Sequence, residues 1–135
     1  LGLNQPLLGG DGWDSPKLVE IGGAALKDAY FSNHYTAEDP RPEVQKFIEN
    51  YKKKFNIVPD GLAAAGYDAA KILINALKTL PIIDMAKLRD AIAATRDYLG
   101  VTGKITLNAN RDAEKSAVVL KVADGTFKYV ETVNP

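Results

Sequence analysis

Apolar positions recur along this chain first at helical spacing and later at strand spacing, and that change divides it. The first apolar run, Leu7 and Leu8, reaches Gly9 and Gly10 and predicts a short buried strand over 7–10. Asp14-Ser15-Pro16 then opens a helix. Asp14 or Ser15 can serve as its N-cap, and Pro16 suits the first turn, where a missing N–H does no harm. Leu18, Val19, Ile21 and Leu26 supply the apolar face, while Gly22-Gly23 leaves the helix end open. Residues 29–35 are rich in aromatics, alternate loosely and predict a strand. After a loop over 38–42, Val44, Phe47, Ile48, Tyr51 and Phe55 follow at three- and four-residue steps, giving an amphipathic helix through about Lys54. Residues 56–60, with Pro59, form a turn.

The longest helical pattern runs from Gly61 to Leu80. Leu62, Ala65, Ala69, Leu73, Ile74 and Leu77 share one broad face, and its small residues permit close packing. Pro81 stops this helix. Asp84 can cap the next one, with Met85, Leu88, Ile92 and Thr95 turned inward. Beyond Gly100 the pattern predicts strands at 101–107, 116–123 and 126–133, and Asp124-Gly125 is a strong two-residue hairpin signal. Strand–helix alternation followed by antiparallel strands indicates an α/β fold with a mixed sheet or an added hairpin.

The length, 135 residues, is that of one ordinary domain. A hydrophobic fraction of 46% and a charged fraction of 25% are ordinary for a globular protein. Seventeen basic and 17 acidic residues cancel, which removes any general electrostatic reason to expect nucleic acid or an anionic membrane as partner. No apolar stretch approaches the ~18 residues of a membrane helix. Leu1 begins in mature-looking sequence without a signal peptide, an absence that means little if an N-terminal portion has been cut away. With no cysteine, disulfides and thiol chemistry are excluded, and both periplasm and cytosol remain open.

Candidate chemistry concentrates in the stretch LLGGDGWDSP, residues 7–16, where a strand breaks into a loop and enters a helix. In open α/β sheets, ligands bind beyond the carboxyl ends of strands. Asp11, beside glycines that expose backbone and next to Trp13, suits a small cation such as an α-ammonium. The plainer account is that Asp-Gly is a common turn pair. Trp13, the only tryptophan, reads first as a core or lobe-surface aromatic and only second as a wall or lid for a ligand side chain. Tyr67 reads as packing. His34 has no second histidine or cysteine to build a zinc site and reads as a hydrogen-bonded structural residue. Ser15 and Ser32 lack the glycine spacing of a nucleophile elbow. No phosphate loop is present, and the acid among Gly9, Gly10 and Gly12 would repel a phosphate. Asn108, Asn110, Asp112 and Glu114 hint at a calcium loop but lack its glycine and distal glutamate. The expectation is a protein with no enzymatic activity, cofactor or metal.

LLGGDGWDSP is followed by AYFSNHYTAEDPRPEVQKFIENYKKKF, GLAAAGYDAAKIL, LRDAIAAT and GVTGKITLNANRDAEKSAVVLKVADGTFKYV. This succession resembles the type I periplasmic binding proteins, and within them the branched-chain amino acid (leucine/isoleucine/valine) branch of ABC-transporter solute receptors. The resemblance covers nearly all 135 residues and corresponds to the C-terminal part of such a receptor, well under half of it. It implies a type I periplasmic-binding-protein α/β fold with flavodoxin-like lobes and antiparallel strands at its end. Residues 1–60 would form a second-lobe segment, 61–98 helices packing on the first lobe, and 99–135 hinge and second-lobe strands with a terminal hairpin. The resemblance implies that Asp11 pairs with a ligand ammonium, that Gly12 lines the same site and that Leu62 meets the ligand side chain. The branched-chain receptors often carry Glu at the first of these positions; Asp is a methylene shorter, which changes how a ligand sits. The implied role is capture of an amino-acid-like ligand in the periplasm, or on the cell surface, for delivery to the membrane subunits of an ABC permease. Two other readings stay open: a ligand-sensing domain on the same fold, and a fragment with no binding of its own. Apolar faces and strand edges left without partners would drive such a fragment to self-associate.

Overall fold

The strands of the computed structural model form two sheets, and the model describes residue 2 and residues 4–135, so that Leu1 and Leu3 lie outside the described residues. The first sheet has the order β1 (Leu8–Gly9), β2 (Tyr30–Asn33), β6 (Ala117–Ala123), β7 (Thr126–Val133). β1 runs parallel to β2, and the other pairs are antiparallel, so the sheet is mixed. The second sheet joins β3 (Tyr98–Gly100), β4 (Gly103–Leu107) and β5 (Ala113–Glu114) in antiparallel order. Four helices separate these strands: α1 (Pro16–Gly22), α2 (Pro42–Phe55), α3 (Gly61–Lys78) and α4 (Met85–Ala93). None is long and apolar enough to cross a membrane.

Local chemistry accounts for most boundaries. Ser15 caps α1, its hydroxyl accepting the Lys17 N–H at 3.3 Å, with Pro16 at the first position. Asp60 caps α3 and Asp84 caps α4, each carboxylate accepting an N–H three residues on. α2 ends where Asn56 turns left-handed at φ 59°. Asp124 and Gly125 both have positive φ, 49° and 74°, as a type I′ hairpin turn between Ala123 and Thr126 requires.

Two apolar clusters form the core. On the first sheet, Leu26, Ala29, Phe31, Leu120 and Val122 are buried, and Phe127 meets Phe31 edge-on with ring centroids 4.9 Å apart. The second cluster joins Tyr35, Val44, Phe47 and Ile48 to Ala64 of α3 and to Val101.

Several expectations need correction. The strand expected to be buried at 7–10 is a two-residue edge strand; it has one neighbour, and Leu8 is 80% exposed. α1 breaks at Gly23, φ 47°, before its apolar stripe is complete; Ile21 is left exposed, and a 3-10 turn over Gly23–Leu26 brings Leu26 into the core instead. Met85 is exposed at the first position of α4, while Leu88, Ile92 and Thr95 are half-buried. α3 keeps its apolar stripe but turns a different face to this chain's own core. Its buried face carries Gly61, Ala64, Asp68 and Ala76, and the expected apolar face leaves Leu62, Leu73 and Ile74 exposed.

Asp68 accounts for that rotation. Its carboxylate is buried and accepts the N–H groups of Val101 and Thr102 at 2.9 and 2.8 Å. Arg41, at the start of α2, donates to the carbonyls of Gly100 and Val101 at 3.1 and 3.2 Å. With amides and carbonyls both engaged, the chain turns at Val101-Thr102, and the strand expected to begin at Val101 becomes the β3–β4 hairpin. Gly100 is required there, since a Cβ would lie 2.4 Å from an Asp68 oxygen. Asp68→Asn replaces an acceptor by a second donor facing a buried amide. We expect a loss of about 2–4 kcal/mol in stability, read from the urea midpoint. A midpoint equal to that of the parent protein contradicts this account.

Candidate functional site

Parallel pairing of β1 and β2, with Leu8 opposite Tyr30 and Gly9 opposite Phe31, brings both carboxyl ends to one edge. From β1 the chain makes a single 3-10 turn, Asp11–Trp13, closed by Trp13 N–H to Gly10 C=O and Asp14 N–H to Asp11 C=O, each 3.0 Å. Gly9 makes this turn possible. A Cβ at Gly9 would lie 2.2 Å from the indole of Trp13, so only glycine lets that ring lie over the strand. Trp13 packs on Phe31 with centroids 6.4 Å apart, as part of the core cluster. It supports the loop from beneath, whereas Asp11 and Gly12 are exposed.

Beyond β2 stands His34. Its Nε2 lies 3.0 Å from Asp11 Oδ2, with the two side chains 41% and 52% exposed. The His34 N–H donates to Asn33 Oδ1 at 2.8 Å, and Lys115 Nζ donates to the His34 carbonyl at 3.3 Å. Lys115 also donates to the carbonyls of Thr102 and Ser116, tying the second sheet to this edge. Burial pushes the Lys115 ammonium below the ordinary lysine range, with Asp68 opposing.

Asp14 joins a third element. It does not cap α1; its Oδ2 accepts Asn33 Nδ2 at 2.9 Å and the N–H of Gly61, the first residue of α3. Asp11, Gly12 and His34 therefore share an edge with the start of α3, where the exposed Leu62 follows Gly61. A recess of about 220 Å³ shares Asp14 and Asn33 with this edge and is completed by Tyr35, Asp60 and Phe127; Asp11, Gly12, Trp13 and Leu62 stand outside it. The Tyr35 hydroxyl donates to Pro59 C=O at 3.1 Å, and burial, with Asp14 and Asp60 adding, raises its phenol above the usual tyrosine range.

The sequence offered no signal for the roles of Asp14 and Lys115, since each acts on residues far along the chain. His34 was legible only as a hydrogen-bonded residue of the strand predicted at 29–35, with nothing to link it to Asp11. Tyr67 packs on Phe47 at 4.7 Å. The alternating oxygens at 108–114 form a turn, with Asn108 Oδ1 accepting the N–H groups of Asn110 and Asp112. Among the described residues no group of three or more His, Cys, Asp or Glu is placed to hold a metal ion.

This edge belongs to a known architecture. The model of the periplasmic binding protein family matches residues 1–126, and the chain belongs to that family. A leucine-binding protein, LivK, from Thermotoga maritima is 38% identical with a TM-score of 0.90, over 99% of this chain and 39% of its own. LivJ from Streptococcus pneumoniae, a branched-chain amino acid transporter substrate-binding protein solved with isoleucine, is 28% identical with a TM-score of 0.85, over 99% of this chain and 38% of its own. An ABC transporter substrate-binding protein from Desulfitobacterium hafniense, in complex with Leu, is 25% identical with a TM-score of 0.81, over 96% of this chain and 36% of its own. The chain thus spans well under half the length of these proteins, and its fold is that of type I periplasmic binding proteins.

Asp14→Ala removes an ionised acceptor from two donors. We expect about 1–3 kcal/mol of destabilisation with faster hydrogen exchange at the Gly61 amide. Unchanged exchange there would show that Asp14 does not hold the start of α3.

Proposed function

We propose that this protein is the solute-binding component of an ABC transporter, working in the periplasm and capturing a branched-chain or similar amino acid between two lobes. The observation that carries this reading is the exposed Asp11 at the shared carboxyl edge of β1 and β2, in a chain 38% identical to a leucine-binding protein. Asp11 pairs with the ligand's α-ammonium through a charge-assisted hydrogen bond, which is strong and directional. Gly12, without a side chain, lets the ligand approach the backbone. Leu62 offers an apolar contact for the ligand side chain. Trp13 serves by holding the loop, because its ring lies on Phe31. Function consists of binding and lobe closure, with no bond chemistry, and the closed shape is what the permease subunits recognise.

In this reading, residues 1–60 and 99–135 belong to one lobe, while α3 and α4 face the other. The exposed Leu62, Leu73 and Ile74 on α3 support that assignment.

Two measurements test the proposal. In the full-length protein, Asp11→Ala weakens leucine binding by about 2–5 kcal/mol in calorimetry, as expected when a desolvated ammonium loses its partner. Equal affinity in mutant and parent sinks the assignment. The 135-residue chain expressed alone self-associates through the open face of α3, giving a light-scattering mass above 14.6 kDa. A monodisperse monomer contradicts the lobe assignment.

A further inference from the structure

We propose that His34 is a positioning residue: it holds one oxygen of the Asp11 carboxylate and aims the other at an incoming cation. This rests on the reading of Asp11 as the ammonium partner. The two residues come from different strands. Asp11 lies two residues past Gly9 and His34 three past Phe31, and Gly9 and Phe31 are paired in register. Their side chains meet at 3.0 Å through Nε2 and Oδ2.

The backbone is held on both sides of this contact, at the Asp11 turn by Trp13 on Phe31 and by Asp14. Asp11 stands on one 3-10 turn whose preceding residue, Gly10, offers no side-chain cap. His34 stands on a backbone held on both sides, by Asn33 Oδ1 at its N–H and by Lys115 Nζ at its carbonyl. Asn33 is itself buried and hydrogen-bonded to Asp14. Among the described residues the Asp11 carboxylate has no hydrogen-bond partner besides His34, so the imidazole is the group that orients it. An exposed carboxylate left to rotate must be ordered when a ligand binds, and that ordering weakens affinity. A donor already in place removes the cost in advance.

The chemistry also selects the tautomer. An ionised carboxylate can only accept, so Nε2 carries the proton. A neutral imidazole in that state orients Asp11 without cancelling its charge, which remains available to an ammonium at Oδ1. A lysine at the same place would neutralise it.

His34 is the one histidine of these 135 residues, and in the full-length protein its ring nitrogens are the ¹⁵N signals that disappear in His34→Gln. In the full-length protein at pH 8, the spectrum should show the Nε2–H form. Asp11→Asn should shift the Nε2 signal, and an unmoved signal overturns the pairing. Calorimetry with L-leucine gives the second arm. His34→Ala should weaken binding about tenfold, the effect of one lost charge-assisted hydrogen bond. His34→Gln, whose amide N–H can reach where Nε2 does, should restore affinity to within about threefold. Wild-type affinity in His34→Ala, or no rescue by His34→Gln, overturns the positioning role. Both outcomes differ from failure of the underlying reading, in which removing the Asp11 carboxylate leaves leucine affinity unchanged.

Discussion

Helix α3 is gripped by carboxylates at two levels, and the arrangement of the other elements follows from that grip. Near its start, Asp14 reaches from the loop after β1 to the amide of Gly61, while also holding Asn33 at the end of β2. Two turns further on, Asp68 reaches outward from the helix to the amides of Val101 and Thr102. One carboxylate couples α3 to the first sheet and the other couples it to the second. Hydrogen bonds to ionised groups in partly or fully buried surroundings are stronger than neutral ones, and their loss leaves an unpaired charge behind. Such contacts fix the rotation of the helix about its axis more sharply than apolar packing does, because they tolerate little change in distance or angle.

That fixed rotation decides which face of α3 is covered. Asp68 has to turn inward, and with it go Gly61, Ala64 and Ala76, whose small size lets the helix lie close to its neighbours. The larger apolar residues, Leu62, Leu73 and Ile74, are carried outward. The same grip brings the start of α3 to the edge where β1 and β2 end, where the Asp11 carboxylate meets the His34 imidazole and Leu62 stands exposed one residue past Gly61.

Much of this was legible in the sequence wherever the signal was local. The caps at Ser15, Asp60 and Asp84 follow from short-range hydrogen bonding between a side chain and the amides two or three residues on. The Asp124-Gly125 turn follows from the positive φ that its geometry demands. The amphipathic stripe of α2 was readable because Val44, Phe47 and Ile48 meet a single continuous core. In α3 the same kind of reasoning found the apolar stripe but not the face turned to this chain's own core, because hydrophobicity alone cannot anticipate a buried aspartate whose partners lie more than thirty residues away. The hairpin of β3 and β4 was hidden for the same reason: Arg41 and Asp68 make the turn at Val101-Thr102, and neither is near it in sequence.

The sequence by itself determined the α/β class, the positions of most helices, the terminal hairpin, the loop with Asp11 at the end of the first strand, and the likeness to periplasmic binding proteins. These rest on periodicity, capping, turn chemistry and motif order, all carried by residues close together along the chain. Only the tertiary structure decided that Trp13 lies on Phe31, that Asp14 joins three elements, that His34 meets Asp11, and that α3 buries its aspartate and exposes its leucines. Each of these depends on long-range contacts, in which the direction of a hydrogen bond or the fit of a ring on a glycine outweighs the local preference of the residue concerned.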